Sequence, residues 1–137
     1  MLEIYGIRLY WYGFMYAISF VIIDYLIVSA SKNKDIDLEP PAAEKLTIVV
    51  LLFAIIGGRL GYVIFYDLSY FASNIQKIFY LWEGGMSFHG GLVGAVIGSV
   101  YFSRKYQIDF LNVTDIISLY APIGLFFGRL GNFINSE

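Results

Sequence analysis

From residue 9 to residue 30 the chain carries one charge, Asp24, and few environments other than lipid can house such a run. A helix needs about 20 mostly apolar residues to cross the hydrocarbon of a bilayer, where every backbone polar group must be satisfied within the chain. The pattern recurs. Residues 46–66 are apolar except for Arg59, residues 86–103 carry no charge, and residues 110–134 hold only Asp115 near one end and Arg129 near the other. Pro122 is placed to kink the last of these. Hydrophobic residues make up 58% of the 137 and charged residues 15%, against about 25% charged in soluble proteins. The expected fold class is therefore all-α integral membrane. About four transmembrane helices form a single polytopic domain over residues 1–137.

The segments between the runs set the topology. Residues 67–85 mix aromatic and polar side chains, among them Tyr70, Phe71, Phe79, Tyr80 and Trp82, and read as an amphipathic stretch lying in the interface. Tyr10, Trp11, Tyr12 and Tyr16 read as an aromatic belt at the start of the first span. A cleavable signal peptide competes for residues 1–30, since Val28-Ser29-Ala30 resembles a cleavage site. The apolar run exceeds the 7–15 residues of a signal's core, which favours a retained span. Loops 31–45 and 103–110 contain Lys32, Lys34, Lys45, Arg104 and Lys105, whereas the other side has Arg8 and Lys77. That bias places the basic loops in the cytoplasm and the N-terminus outside.

Several function classes drop out. A net charge of −2 with no basic stripe excludes a nucleic-acid binder. Without cysteine there is no thiol nucleophile and no thiolate metal site, and one histidine among scattered carboxylates gives no metal cluster. The glycines at 57/61, 90/94/98 and 124/128 repeat every four residues, a spacing that lets membrane helices approach closely. They make poor phosphate loops, since no strand precedes them and no Gly-Lys-Ser/Thr follows.

What remains is a set of polar residues on apolar helices. An arginine at membrane depth costs roughly 2.5–3.5 kcal/mol by insertion scales, so each calls for a partner. Arg129, Asn132 and Ser136 lie along one helical face, and a guanidinium beside a carboxamide suits a phosphate or carboxylate. A snorkelling arginine at a helix end is the bland alternative. Arg59 is open between a ligand role and a structural one, either bridging helices or meeting backbone carbonyls. His89 has Gly90-Gly91 beside it, which leaves room for a ligand. Gly58-Arg59-Leu60-Gly61 and Gly128-Arg129-Leu130-Gly131 repeat four letters and suggest a parallel internal repeat. The topology puts Tyr12, Arg59, His89, Arg129 and Asn132 in the outward half of the membrane.

Four blocks carry a resemblance. Trp-Tyr-Gly-Phe-Met-Tyr at 11–16, Gly-Gly-Arg-Leu-Gly-Tyr-Val-Ile-Phe-Tyr at 57–66, Trp-Glu-Gly-Gly-Met-Ser-Phe-His-Gly-Gly-Leu at 82–92 and Gly-Arg-Leu-Gly-Asn-Phe-Ile-Asn at 128–135 followed by Glu137 resemble, in order, the bacterial prolipoprotein diacylglyceryl transferases. Members of that family run on beyond this motif, with a further arginine-bearing segment, so the chain resembles the N-terminal half of a larger bundle, truncated at its C-terminus. The resemblance implies transfer of the diacylglyceryl group of phosphatidylglycerol to the lipobox cysteine of a prolipoprotein signal peptide. A thioether forms and glycerol phosphate leaves, in the bacterial inner membrane with the active site toward the outer face. No cofactor is expected. The partners are the two substrates and surrounding membrane lipids. Matching functional positions are His89 and Arg129 as catalytic residues, with Tyr12, Asn132 and Glu137 toward substrate; Arg59 is a candidate second cation on the substrate. The alternative is a non-catalytic transporter or lipid-binding scaffold, for which buried arginines and glycine-rich helices serve equally well.

Overall fold

A computed structural model describes the backbone of residues 2–4, 7–9 and 11–134 and the side chains of residues 13–134. The chain opens with a short hairpin that no sequence period announces. Strands β1 (Leu2–Ile4) and β2 (Ile7–Leu9) pair antiparallel with Leu2 opposite Leu9 and Glu3 opposite Arg8. Three residues per strand are too few for an alternation to register. Helices follow: α1 (Trp11–Lys32), α2 (Pro40–Tyr66), α3 (Leu68–Ser73), two 3-10 turns at Ile75–Phe79 and Leu81–Glu83, α4 (Phe88–Tyr106) and α5 (Phe110–Ile134).

Three of these helices are long and apolar enough to cross a bilayer: Gly13–Lys32 of α1, Pro40–Tyr66 and Phe110–Ile134. The chain is thus an all-helical membrane protein apart from its opening hairpin. The remaining expected span, α4, forms its helix, and 19 residues rise about 28 Å, close to the hydrocarbon thickness. Its apolarity is lower because Gly90, Gly91, Gly94 and Gly98 occupy positions that the other helices fill with Leu, Ile and Phe. α2 begins earlier than its apolar run, at Pro40-Pro41, whose missing N–H groups fall in the first turn where no intrahelical acceptor exists.

The described chain gathers into two compact units, Met1–Thr47 with Leu111–Glu137, and Ile48–Phe110. In the first, α5 meets α1 at its glycines. A Cβ on Gly124 would lie 3.7 Å from the Ile23 side chain, and one on Gly128 would lie 2.7 Å from the Tyr16 ring. Ser19 is fully buried on that seam and donates its hydroxyl to the Tyr16 carbonyl at 2.7 Å, so the buried hydroxyl has a partner. Ile27, Ala43, Leu46, Val113 and Ile116 are among the other buried residues of this unit. Beyond α1 the chain turns back with Lys34 at φ 62°, and the Ser31 hydroxyl donates to the Leu38 carbonyl at 2.6 Å.

In the second unit, α2 has two different faces. Ile48, Leu52, Ile56, Leu60 and Ile64 recur every four residues and stay exposed, a stripe that suits lipid. Its other face is backbone packed on backbone. A Cβ on Gly61 would sit 2.8 Å from the Gly90 Cα, and one on Gly57 equally close to the Gly94 Cα. Nothing larger than hydrogen fits, which is why α2 and α4 carry glycine at matching heights. Phe53 closes one end of the seam against Gly98 and packs at a tilt on Tyr101, with ring centroids 5.4 Å apart.

Candidate functional site

The α2–α4 seam positions Arg59 and His89. Arg59 follows Gly58 on α2 and is only 5% exposed. Its guanidinium has five N–H donors, and every one has a carbonyl acceptor. Nε donates to Ile78 at 2.9 Å, one terminal nitrogen to Gly84 and to Gly85 (the latter at 2.9 Å), the other to Lys77 at 2.7 Å and Tyr80 at 3.2 Å. Aromatic faces cover it further, with Phe71 5.2 Å and Tyr62 6.0 Å from the guanidinium carbon. Of the two readings open for Arg59, the contact with backbone carbonyls is the arrangement found. The cavity next to it holds about 130 Å³ and is edged by Asp67 and Glu83. That is small beside the roughly 300–1,000 Å³ of ordinary ligand sites.

The segment around Arg59 is the stretch expected to lie in the interface. It is folded rather than extended along a surface, as α3 and two 3-10 turns whose carbonyls converge on one cation. Its outer side chains fit the interfacial expectation: Ile75, Phe79 and Trp82 are each more than 60% exposed. Gly84 and Gly85 both take positive φ, 84° and 83°, which turns their carbonyls toward Arg59. A side chain on Gly85 would run into Tyr62, 2.6 Å away. Glu83 pairs with Lys77 at 2.5 Å rather than with an arginine, and the hydrogen bond to Glu83 raises the lysine's pKa.

α4 starts immediately after this segment. The Ser87 N–H donates to the Gly58 carbonyl at 2.8 Å, and the Ser87 hydroxyl accepts from the Gly90 N–H at 3.2 Å as the N-cap. His89 is therefore the second residue of a capped helix, exposed, with its ring edge-on to Phe88 at 5.7 Å. The roles of Ser87, Gly84 and Gly85 went unread in the sequence. A serine three residues before Gly90 at the head of an apolar run, and a Gly-Gly pair before it, were the available signals.

Arg129 and Asn132 belong to the other unit, near the end of α5, three residues apart on one face. Arg129 is exposed and Asn132 half-buried. Among the described residues no hydrogen bond or ion pair engages the Arg129 guanidinium. One residue before it, Gly128 packs against Tyr16 of α1. Tyr12 holds the α1 position one turn before Tyr16, but its side chain lies outside the described residues, as do Asn135, Ser136 and Glu137. A further cavity falls elsewhere, a shallow basin of about 550 Å³ whose lining includes Asp35, Asp37 and Asp115. Three carboxylates and no cation make it a poor place for a phospholipid headgroup. Among the described residues no group of three His, Asp or Glu could hold a metal ion.

Comparison with known proteins settles the family. The profile of the prolipoprotein diacylglyceryl transferases matches residues 1–137. A phosphatidylglycerol–prolipoprotein diacylglyceryl transferase from Buchnera aphidicola is 52% identical over 128 residues, 93% of this chain and 45% of the relative. Proteins of the same name from Geobacter sulfurreducens and Francisella tularensis subsp. mediasiatica are 43% and 42% identical, across 49% and 51% of their own lengths. The chain spans about half the length of the curated relatives it matches. With a profile match from end to end and relatives this similar, the chain belongs to the prolipoprotein diacylglyceryl transferase family.

Proposed function

We propose that the whole protein transfers the diacylglyceryl group of phosphatidylglycerol to the lipobox cysteine of a prolipoprotein. The observation that carries this reading is the exposed guanidinium of Arg129, which no described residue engages, beside half-buried Asn132, on a chain whose relatives are named for phosphatidylglycerol, an anionic lipid. The substrate thiol loses its proton and its sulfur attacks the primary glyceryl carbon. A C–S bond forms as the C–O bond to phosphate breaks, and glycerol phosphate leaves, taking up a proton.

The residues divide the work. An imidazole is the side chain best suited to accept a proton near neutrality, and His89 stands exposed at the mouth of α4. A thiol titrates near 8.5, so a base that helps form the thiolate matters most below that range. Arg129 answers the charge that grows on the departing phosphate, and its planar fork suits two oxygens at once. Asn132 orients glycerol or phosphate oxygens, with Tyr12 and Glu137 completing the substrate contacts. Arg59, by contrast, has its donors occupied by carbonyls.

His89→Gln in the full protein is expected to lose roughly 10²–10⁴-fold in rate, with the deficit shrinking as pH rises toward the thiol's own range. A pH-independent loss would assign His89 to binding instead. The site is proposed to face outward in the bacterial inner membrane, with the loop after α1 in the cytoplasm. The chain has no cysteine of its own, so single cysteines at Lys32 and Ser73 report the sidedness directly. They should label from opposite sides, and labelling of both from outside would invert the scheme.

A further inference from the structure

We propose that Arg59 is a positioning residue that fixes the start of α4, and with it His89, by gathering the carbonyls of residues 77–85 around its guanidinium. This rests on the proposed role of His89 but begins from a different observation. A guanidinium that is 5% exposed and bonded to Lys77, Ile78, Tyr80, Gly84 and Gly85 has become the centre of a fold element. The carbonyls of Lys77 and Tyr80 also accept the N–H groups of Tyr80 and Glu83, each at 3.2 Å, so Arg59 is their second donor, whereas Gly84 and Gly85 are bonded through Arg59. One cation draws all five carbonyls together. In return those dipoles stabilise a charge that has no carboxylate partner among the described residues.

The connection to His89 is short and covalent. Arg59 holds the carbonyls of Gly84 and Gly85, and only Met86 separates them from Ser87. Ser87 is held from the same stretch of α2, by the Gly58 carbonyl. The chain is thus gripped on both sides of Met86 by two consecutive residues, Gly58 through its backbone and Arg59 through its side chain. Ser87 then caps α4, and His89 follows two residues later. The tight seam between Gly57 or Gly61 and Gly90 fixes the rest of that first turn. A catalytic group held this way has little freedom left, and a misplacement of about 1 Å can cost on the order of 10²-fold in rate.

Arg59→Lys tests this, because a lysine keeps the charge but offers three donors from one point and cannot span five carbonyls. In the full protein, in detergent, hydrogen exchange of the amides of residues 80–90 should accelerate at least about tenfold, the scale of losing one hydrogen bond to a charged group. The rest of α2 should exchange as before. Turnover should fall on the order of 10²-fold with KM for phosphatidylglycerol little changed. Combined with His89→Gln, the losses should not add, because both act through one imidazole. Gly85→Ala attacks the same cage from the loop side and leaves Arg59 intact; it should reproduce both the exchange and the turnover defects.

A raised KM with unchanged exchange would make Arg59 a headgroup ligand and overturn the proposal. Additive losses, or a Gly85→Ala variant with normal turnover, would also overturn it. If His89→Gln by itself keeps full activity, the role given to His89 falls. The proposal then falls with it if Arg59→Lys keeps full turnover, and otherwise holds only for the start of α4, as read by the exchange of residues 80–90.

Discussion

Gly58-Arg59-Leu60-Gly61 and Gly128-Arg129-Leu130-Gly131 are the same four residues placed late in two apolar helices, and their arginines live in different worlds. Arg59 is buried and its five donors end on carbonyls of its own chain. Arg129 is exposed, and no described residue engages it. The environment of Arg59 is built by the residues that come after its helix. Beyond α2 the chain returns as α3 and two 3-10 turns, and this segment brings five carbonyls to Arg59. An arginine at membrane depth must be satisfied by something. Here Arg59 is satisfied from within, and no described residue does the same for Arg129.

The glycines of the two regions differ in the same sense, and substitution sharpens the contrast. A Cβ on Gly94 would collide with the Phe53 carbonyl and approach the Gly57 Cα to 3.1 Å, both of them backbone. Backbone cannot swing aside, so Gly94→Ala should force α2 and α4 apart and cost about 3 kcal/mol or more in reversible unfolding. The atoms nearest a Cβ on Gly128 are the hydroxyl and ring of the Tyr16 side chain rather than backbone. Gly128→Ala should therefore cost less, about 1 kcal/mol. Denaturant titration in mixed micelles checks both. Equal costs would mean that the α2–α4 seam is no tighter than the contact of α1 with α5.

The helices themselves were legible because lipid imposes a blunt rule on composition. Residues 110–134 read as a span and α5 occupies that range. α1 and α2 are displaced by a few residues where polar ends join the helix, as at Pro40-Pro41. α4 was harder, since glycine signals packing and lowers apolarity together. The fold of residues 67–87 could not be read. Its order comes from a side chain about 20 residues earlier in the chain, and no local period encodes that backbone carbonyls will share one guanidinium. The motif residues His89, Arg129 and Asn132 were found through sequence blocks, whereas Ser87, Gly84 and Gly85 emerge only when their backbone geometry is seen.

The division between a structural and a ligand-facing arginine is tested most directly by steady-state kinetics of Arg129→Lys in the full protein. Phosphatidylglycerol carries one negative charge, and the released phosphate monoester carries close to two near neutrality. A fixed cation beside it gains attraction as the bond breaks, which lowers the barrier more than it tightens the resting complex. Lysine keeps the charge and loses the fork. The expected result is a fall in kcat of about 10²–10³-fold with KM for the lipid nearly constant. A large rise in KM with kcat untouched would mean that Arg129 merely holds the headgroup, and wild-type kinetics would mean that it meets no phosphate at all.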